Sequence, residues 1–198
     1  LFAEETAEDI EYTASFTLKS EILSAIPDKR DMQIPKDEEK FIKEFLKLIE
    51  LDELTDAEKA EEVTRYLKNT FFYSLNQPET PNSYTPLGYF LLKRKAGHCE
   101  YFATGLTLLL REIGISARYV TGYALYEKSG IGNYYIAREK DAHAWTEAYI
   151  NGKWIQFDAT PNAWITEAEN ESSIFQPISD LLSFLKFKYT MLRMHRNR

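Results

Sequence analysis

The dipeptide Asn151-Gly152, set between two runs that alternate apolar and polar residues, constrains this chain more than any other feature. It is a strong hairpin signal, because both central residues of a two-residue type I′ turn need positive φ. The turn fixes register. Partners across Ala142–Ile150 and Lys153–Ala159 have numbers that sum to 303, so Tyr149 faces Trp154, Glu147 faces Gln156 and Trp145 faces Asp158. His143 lies two residues beyond Trp145 on the same face. It is therefore the diagonal neighbour of Asp158, at a backbone separation of roughly 7–8 Å that two facing side chains close to a hydrogen bond. Spacing alone predicts a His–Asp pair, provided neither strand carries a bulge.

Two further runs have the same period of two, Arg118 to Tyr126 and Asn133 to Ala137, and the expectation is one antiparallel sheet of four strands. Ahead of them the period is helical. Phe41, Phe45, Leu46 and Ile49 follow Pro35 at helix spacing and predict a helix from Lys36 to about Leu51. Thr55 followed by Glu58 matches a capping box and opens a second helix with Val63, Tyr66, Leu67 and Thr70 on one face. Three prolines between Asn76 and Pro86 predict a loop. A mostly apolar helix then runs from Cys99 to Ile113, with Gly114 as its stop. Gly105 inside it costs about 1 kcal/mol against alanine, so close packing by another element is expected there.

Cys99 is the sole cysteine, which excludes an intrachain disulfide. A lone cysteine in an apolar helix is ordinarily a core residue. Its position at the helix start changes that: the dipole and unpaired amides there favour the thiolate, the form that acts as nucleophile. Such a nucleophile needs a base, and the base needs an orienting group. His143 and Asp158 supply both, the carboxylate holding one ring nitrogen and leaving the other for the thiol. Glu100 in the first turn favours the helix start. His98 beside Cys99 raises the question of zinc, but two further ligands at metal-like spacing are missing, and no calcium-loop pattern is present, so neither metal nor other cofactor is expected. Trp145, Trp154 and Trp164 are packing residues by default, and Trp145 is placed to wall the site and shield the His–Asp bond.

The balance of 24 basic and 31 acidic residues, net −7, argues against a nucleic-acid partner. Residues 1–35 form an extension with a strand-like alternation from Tyr12 to Lys19, and 166–198 a tail whose Ile178, Leu181, Leu182, Leu185, Tyr189 and Leu192 make the stripe of a basic amphipathic helix. That helix is expected to pack on the domain or lead to a removed segment rather than to lie on a membrane surface or dock a partner, and His195 within it to be solvated. The chain starts at Leu1 without a basic-then-apolar leader and nowhere runs 18 apolar residues, so neither signal peptide nor membrane span is expected; processing, or excision from a longer protein, would explain the start.

Four segments, Gly97-His98-Cys99-Glu100-Tyr101-Phe102-Ala103, Leu110 to Tyr123, Asp141-Ala142-His143-Ala144-Trp145-Thr146-Glu147 and Trp154 to Pro161, together resemble the bacterial transglutaminase-like superfamily across about residues 71–164. The resemblance implies an α+β, papain-like core in which the nucleophile helix packs on an antiparallel sheet, within a catalytic domain at 36–165. It places the nucleophile on Cys99, the base on His143 and the orienter on Asp158; Ala159 stands where related sequences often have proline. The backbone N–H of Cys99 and a side chain such as Tyr73 or Tyr84 are the candidate oxyanion donors. The implied activity is acyl transfer on protein or peptide amides through a thioester, ending in cross-linking or in hydrolysis. The partner is then a protein or peptide substrate. A catalytically silent peptide- or cell-wall-binding module is the alternative. Related domains often sit between membrane spans on the outer side, so a tether outside this chain and an extracytoplasmic location are expectations of the same resemblance.

Overall fold

The computed structural model describes residues 26–125, 127–128, 135–137 and 139–162. The strand-like run at 12–19, Trp164, His195 and the basic amphipathic stripe lie outside the described residues. Among the described residues no helix is long and apolar enough to cross a membrane.

Helix α1 (Glu39–Leu46) buries Phe41, Ile42 and Phe45. It ends earlier than the periodicity predicts. The N–H groups of Leu48 and Ile49 bond to the carbonyls of Phe45 and Leu46, so the chain tightens into three-residue turns that keep Ile49 in the core. Helix α2 (Asp56–Thr70) opens on the expected capping box: the Glu58 carboxylate accepts the Thr55 N–H at 2.8 Å, and the Thr55 hydroxyl accepts the Glu58 N–H at 3.4 Å. Val63 and Leu67 face inward as expected, while Tyr66 is half-buried and Thr70 exposed.

The proline-rich segment is irregular up to Thr85. There the Thr85 hydroxyl caps a short helix, α3 (Pro86–Tyr89), with proline at its first position, and a π-helical turn, Phe90–Arg94, follows. A Cβ at Gly88 would lie 2.5 Å from the Phe41 ring, so only glycine lets α3 approach α1 this closely. Beyond the turn, β2 (Ala96–Gly97) pairs in parallel with β1 (Phe72–Tyr73) and delivers the chain to helix α4 (Cys99–Glu112).

Helix α4 forms the centre of the molecule. Its Phe102, Leu106, Leu109 and Leu110 are buried. Phe102 joins Phe45, Phe71 and Phe90 in an aromatic cluster, with the Phe71–Phe90 and Phe90–Phe102 centroids 4.9 and 5.1 Å apart. Gly114, at φ 89°, stops the helix in the left-handed conformation that glycine adopts freely.

The expected four-stranded sheet is corrected to three strands. Strand β3 (Ala117–Tyr123) pairs directly with β6 (Ala142–Ile150), and β6 with β7 (Lys153–Phe157), both antiparallel. Tyr135–Ile136 (β5) pairs instead with Glu127–Lys128 (β4) in a separate two-stranded ribbon. The hairpin register is the one the turn dictates, with Tyr149 opposite Trp154 and Glu147 opposite Gln156. Asn151 and Gly152 both take positive φ, as a type I′ turn requires. Helix α4 is fastened to β6 by buried hydroxyls: Thr146 donates to the Ala103 carbonyl at 3.0 Å and lies 3.1 Å from the Thr107 hydroxyl. The result is an α+β fold with helices packed on an antiparallel sheet.

Candidate active site

Cys99 is the first residue of α4, and extended His98 precedes it as N-cap, so the thiol stands among unbonded amides at the positive end of the helix dipole. His143 comes from β6 and is 7% exposed. Its Nε2 lies 2.8 Å from Asp158 Oδ2, which leaves the buried Nδ1 as the nitrogen for the thiol. The structure therefore brings Cys99, His143 and Asp158 together.

The predicted route to this pair needs one correction. The β6–β7 ladder closes at Thr146–Phe157, so the expected Trp145–Asp158 cross-strand pair is not part of it. Asp158 Oδ1 accepts the Thr160 N–H at 2.9 Å, a local turn that draws the chain out of the ladder. The His–Asp contact survives because the side chains span the diagonal.

The electrostatics favour a thiolate–imidazolium pair. Burial pushes the Cys99 thiol up, but hydrogen bonds from His143, from His98 and from the Ala144 N–H outweigh it and bring the pKa down to about 6. Burial pulls His143 down, while its bonds to Asp158 and Cys99 raise it to about 9. Burial likewise pushes Asp158 up, yet His143 and the Thr160 N–H hold it below the usual carboxylate value. Both shifts favour the thiolate–imidazolium form around neutral pH.

Trp145 stacks on His143, with centroids 6.3 Å apart and planes at 23°. Its indole crosses Gly122, where a Cβ would meet ring carbon Cη2 at 2.7 Å. The two tyrosines expected as donors diverge. Tyr73 pairs with Gly97 in the β1–β2 bridge, two residues before the nucleophile. Tyr84 instead stacks on Phe41 at 5.5 Å and meets Tyr89 in a tilted contact at 5.9 Å, beside α1. Another element does pack against Gly105, as expected: a Cβ there would meet Leu91 Cδ2 at 3.4 Å and Leu87 and Phe90 carbons at 3.7 Å, which is ordinary contact.

Sequence reasoning missed two partners of the sulfur. The Ala144 N–H has no sequence signature, because it is a backbone group. His98 had one, adjacency to Cys99, but was weighed only as a metal ligand. Among the described residues no group of three or more His, Cys, Asp or Glu side chains is disposed to hold a metal. Burial raises the phenol of Tyr119 on β3, and the Glu100 and Cys99 charges add to the rise. Tyr119 also lines a groove of about 630 Å³ with Gln33, Pro35, Thr107 and Arg111.

A helix-borne thiol facing a histidine on the sheet and an aspartate just beyond its edge strand places the chain in the papain-like class of α+β folds. Within that class the chain belongs to the transglutaminase-like superfamily, whose family model matches residues 44–159. It is 34% identical over 110 residues to the uncharacterized protein YebA of Bacillus subtilis (strain 168), a match covering 52% of this chain and 15% of that one. It is also 34% identical over 97 residues to a protein-glutamine gamma-glutamyltransferase of Pseudomonas aeruginosa, covering 48% of this chain and 14% of that one. Among solved structures it is similar to the periplasmic domain of TgpA from Pseudomonas aeruginosa bound to ethylmercury, with a TM-score of 0.56, 27% identity, and 66% and 47% of the two chains covered. These matches span about one seventh of the two full-length relatives and about half of the crystallised domain.

Proposed function

We propose that this chain is a cysteine acyltransferase that acts on protein or peptide amides through a thioester, with Cys99 as nucleophile, His143 as acid and base, Asp158 as orienter and residues 36–165 as the catalytic unit. The observation that carries the proposal is the joint placement of the Cys99 thiol at the start of α4 and a His143 ring already tied to Asp158 at 2.8 Å.

The chemistry follows from the protonation states. The Cys99 thiolate attacks the carbonyl carbon of a carboxamide. The carbon–nitrogen bond breaks as His143 passes its proton to the departing nitrogen, which leaves as ammonia, and a Cys99 thioester remains. An incoming primary amine then attacks that carbon, gives its proton to neutral His143 and expels the thiolate. Water in place of the amine gives hydrolysis. The Cys99 N–H and Tyr73 are the candidate donors to the oxyanion, Trp145 walls the pair from water, and the groove beside Tyr119 accommodates the chain that flanks the reacting amide. The sequence relative that bears the name protein-glutamine gamma-glutamyltransferase favours a glutamine carboxamide as acyl donor.

The test is to incubate the protein with a glutamine-containing peptide and a fluorescent primary amine, following ammonia release and amine incorporation together. Ammonia release that vanishes in Cys99→Ala supports the acyl-enzyme route, and the share of released ammonia matched by incorporated amine divides transfer from hydrolysis. A wild-type protein that forms no Cys99 adduct with any amide substrate, and whose thiol titrates like a free cysteine, would overturn the reading in favour of a silent binding module.

A further inference from the structure

Strand β3 stands at the edge of its sheet: among the described residues its one neighbour is β6. Register decides which of its backbone groups face outward. The Tyr149 N–H bonds to the Ser116 carbonyl at 2.8 Å and the Ala124 N–H to the Asp141 carbonyl at 2.9 Å, and both pairs continue the ladder that sets Ala117 opposite Ala148. Hydrogen-bonded pairs alternate along an antiparallel ladder, so the even-numbered residues of β3 direct their N–H and C=O groups at β6 and the odd-numbered ones turn theirs outward. Ala117 shows it: its carbonyl accepts from Arg111 Nε at 3.0 Å and from Nη2 at 2.8 Å. The edge is thus guarded at its start. From Tyr119 to Tyr123 no strand among the described residues takes up the outward row. Sheets commonly blunt such an edge with lysine, proline or a bulge. Here the outward positions are Tyr119, Thr121 and Tyr123, in unbroken register and with exposed side chains.

The unguarded stretch adjoins the site. Tyr119 stands opposite Thr146, whose hydroxyl donates to the Ala103 carbonyl, so the odd-numbered side chains of β3 lie on the face of the sheet that carries α4. Gly122 stands opposite His143, and Tyr119 is also a wall of the groove of about 630 Å³. We propose that the edge of β3 from Tyr119 to Tyr123 is the docking strand for the acyl donor. An extended, uncharged segment of the substrate chain adds to the sheet there, its backbone bonded to Tyr119, Thr121 and Tyr123, and its aromatic or aliphatic side chains packed on the two tyrosines. This assignment rests on the acyl-transfer reading and names what that site holds beyond the reacting amide. Two strand spacings, about 10 Å, separate an added strand from β6. An extended chain covers that span in about three residues, so the reacting glutamine belongs about three or four residues outside the paired segment, where the chain leaves the edge and crosses to the thiol.

The test supplies glutamine-containing peptides and a fluorescent primary amine to wild type, Thr121→Pro and Tyr123→Ser, with kcat and KM resolved. Thr121→Pro removes an outward N–H and leaves the β3–β6 bonds in place, the kind of edge position where proline is tolerated. It is expected to raise KM about two- to tenfold, the worth of a hydrogen bond, with kcat and the rate of Cys99 alkylation by iodoacetamide close to wild type. Tyr123→Ser is expected to raise KM as well. N-methylating the peptide one residue at a time reads the same pairing without altering the protein: KM should rise at every second residue of the paired segment and stay level between. A level scan, with KM unmoved in Thr121→Pro, overturns the docking strand, while peptide turnover keeps the acyl-transfer reading standing. A Thr121→Pro protein that sediments as a monomer where wild type is a dimer, with KM unmoved, gives the edge to a second copy of the chain and overturns it too. If wild type turns over no peptide and Cys99 alkylates like a free cysteine, both fall, and the failure begins with the acyl-transfer reading. Should Thr121→Pro fail to fold, the N-methyl scan decides alone.

Discussion

Asp158 stands one residue beyond the ladder that brings it to His143, and its two oxygens divide the work. Oδ1 is fixed by the Thr160 N–H, which aims Oδ2 at Nε2. Asp158→Asn keeps an oxygen acceptor there but removes the charge that holds His143 at about 9. The profile of kcat/KM against pH for wild type is expected to rise as the thiol ionises near 6 and to fall as His143 loses its proton near 9. In Asp158→Asn the falling limb moves to lower pH and the peak drops on the order of 10²-fold or more. A descending limb unmoved by the substitution would mean that some other group holds the imidazolium. The hairpin arithmetic located this aspartate because strand register is set by a turn that can be read locally. The same arithmetic said nothing of His98, because a rotamer at a helix N-cap is chosen by neighbours that linear spacing does not reveal.

At the level of elements, two glycines that look alike in sequence do different things. Gly105 lies inside α4 with ordinary contact around an added methyl, so Gly105→Ala is expected to stabilise the protein by about 0.5–1 kcal/mol through helix propensity and a less flexible unfolded chain. Urea denaturation checks this, and a loss of stability would mean that Leu91 has no room to give. Gly122 pairs with His143 across β3 and β6 and lies beneath the Trp145 indole, 2.7 Å from where a Cβ would stand. Gly122→Ala must displace that ring, and with it the stacking on His143. The expected outcome is a loss of about 1–3 kcal/mol of stability, the range for overpacking. Turnover should fall in the protein that remains folded, measured on equal folded fractions. Helices and hairpin were legible because their periods and caps are local. The count of strands in the sheet was not, since an alternating run declares a strand without naming its neighbour.

On the scale of the whole molecule, the residues ahead of α1 are tied to the sheet by an arginine stack. Arg118 of β3 donates to Asp31 through Nε at 3.0 Å and Nη2 at 3.1 Å, and its guanidinium lies 3.8 Å over the Trp154 ring of β7. Arg111 adds a bond from Nη1 to the Gln33 carbonyl at 2.7 Å, so the segment that lines the groove beside Tyr119 is held at two points. No local pattern in residues 28–33 declares a partner 87 positions away, which is why the sequence alone suggested only an extension there. Asp31 is 7% exposed, and removing its carboxylate strands the Arg118 cation against Trp154. Asp31→Asn is therefore expected to cost about 1.5–3 kcal/mol at pH 7, the range for hydrogen bonds to charged groups. The sign of its pH dependence follows from the shift. Burial pushes Asp31 up, but Arg118 and the Asp28 N–H leave it below its ordinary 3.8, so the folded state favours the carboxylate. That contribution is complete well above 3.8 and drains away as pH falls through the lowered folded value. Urea midpoints of wild type and Asp31→Asn, taken from pH 7 down to pH 3, should accordingly converge, and a gap that stays constant across that range would mean that Asp31 acts by packing rather than by charge.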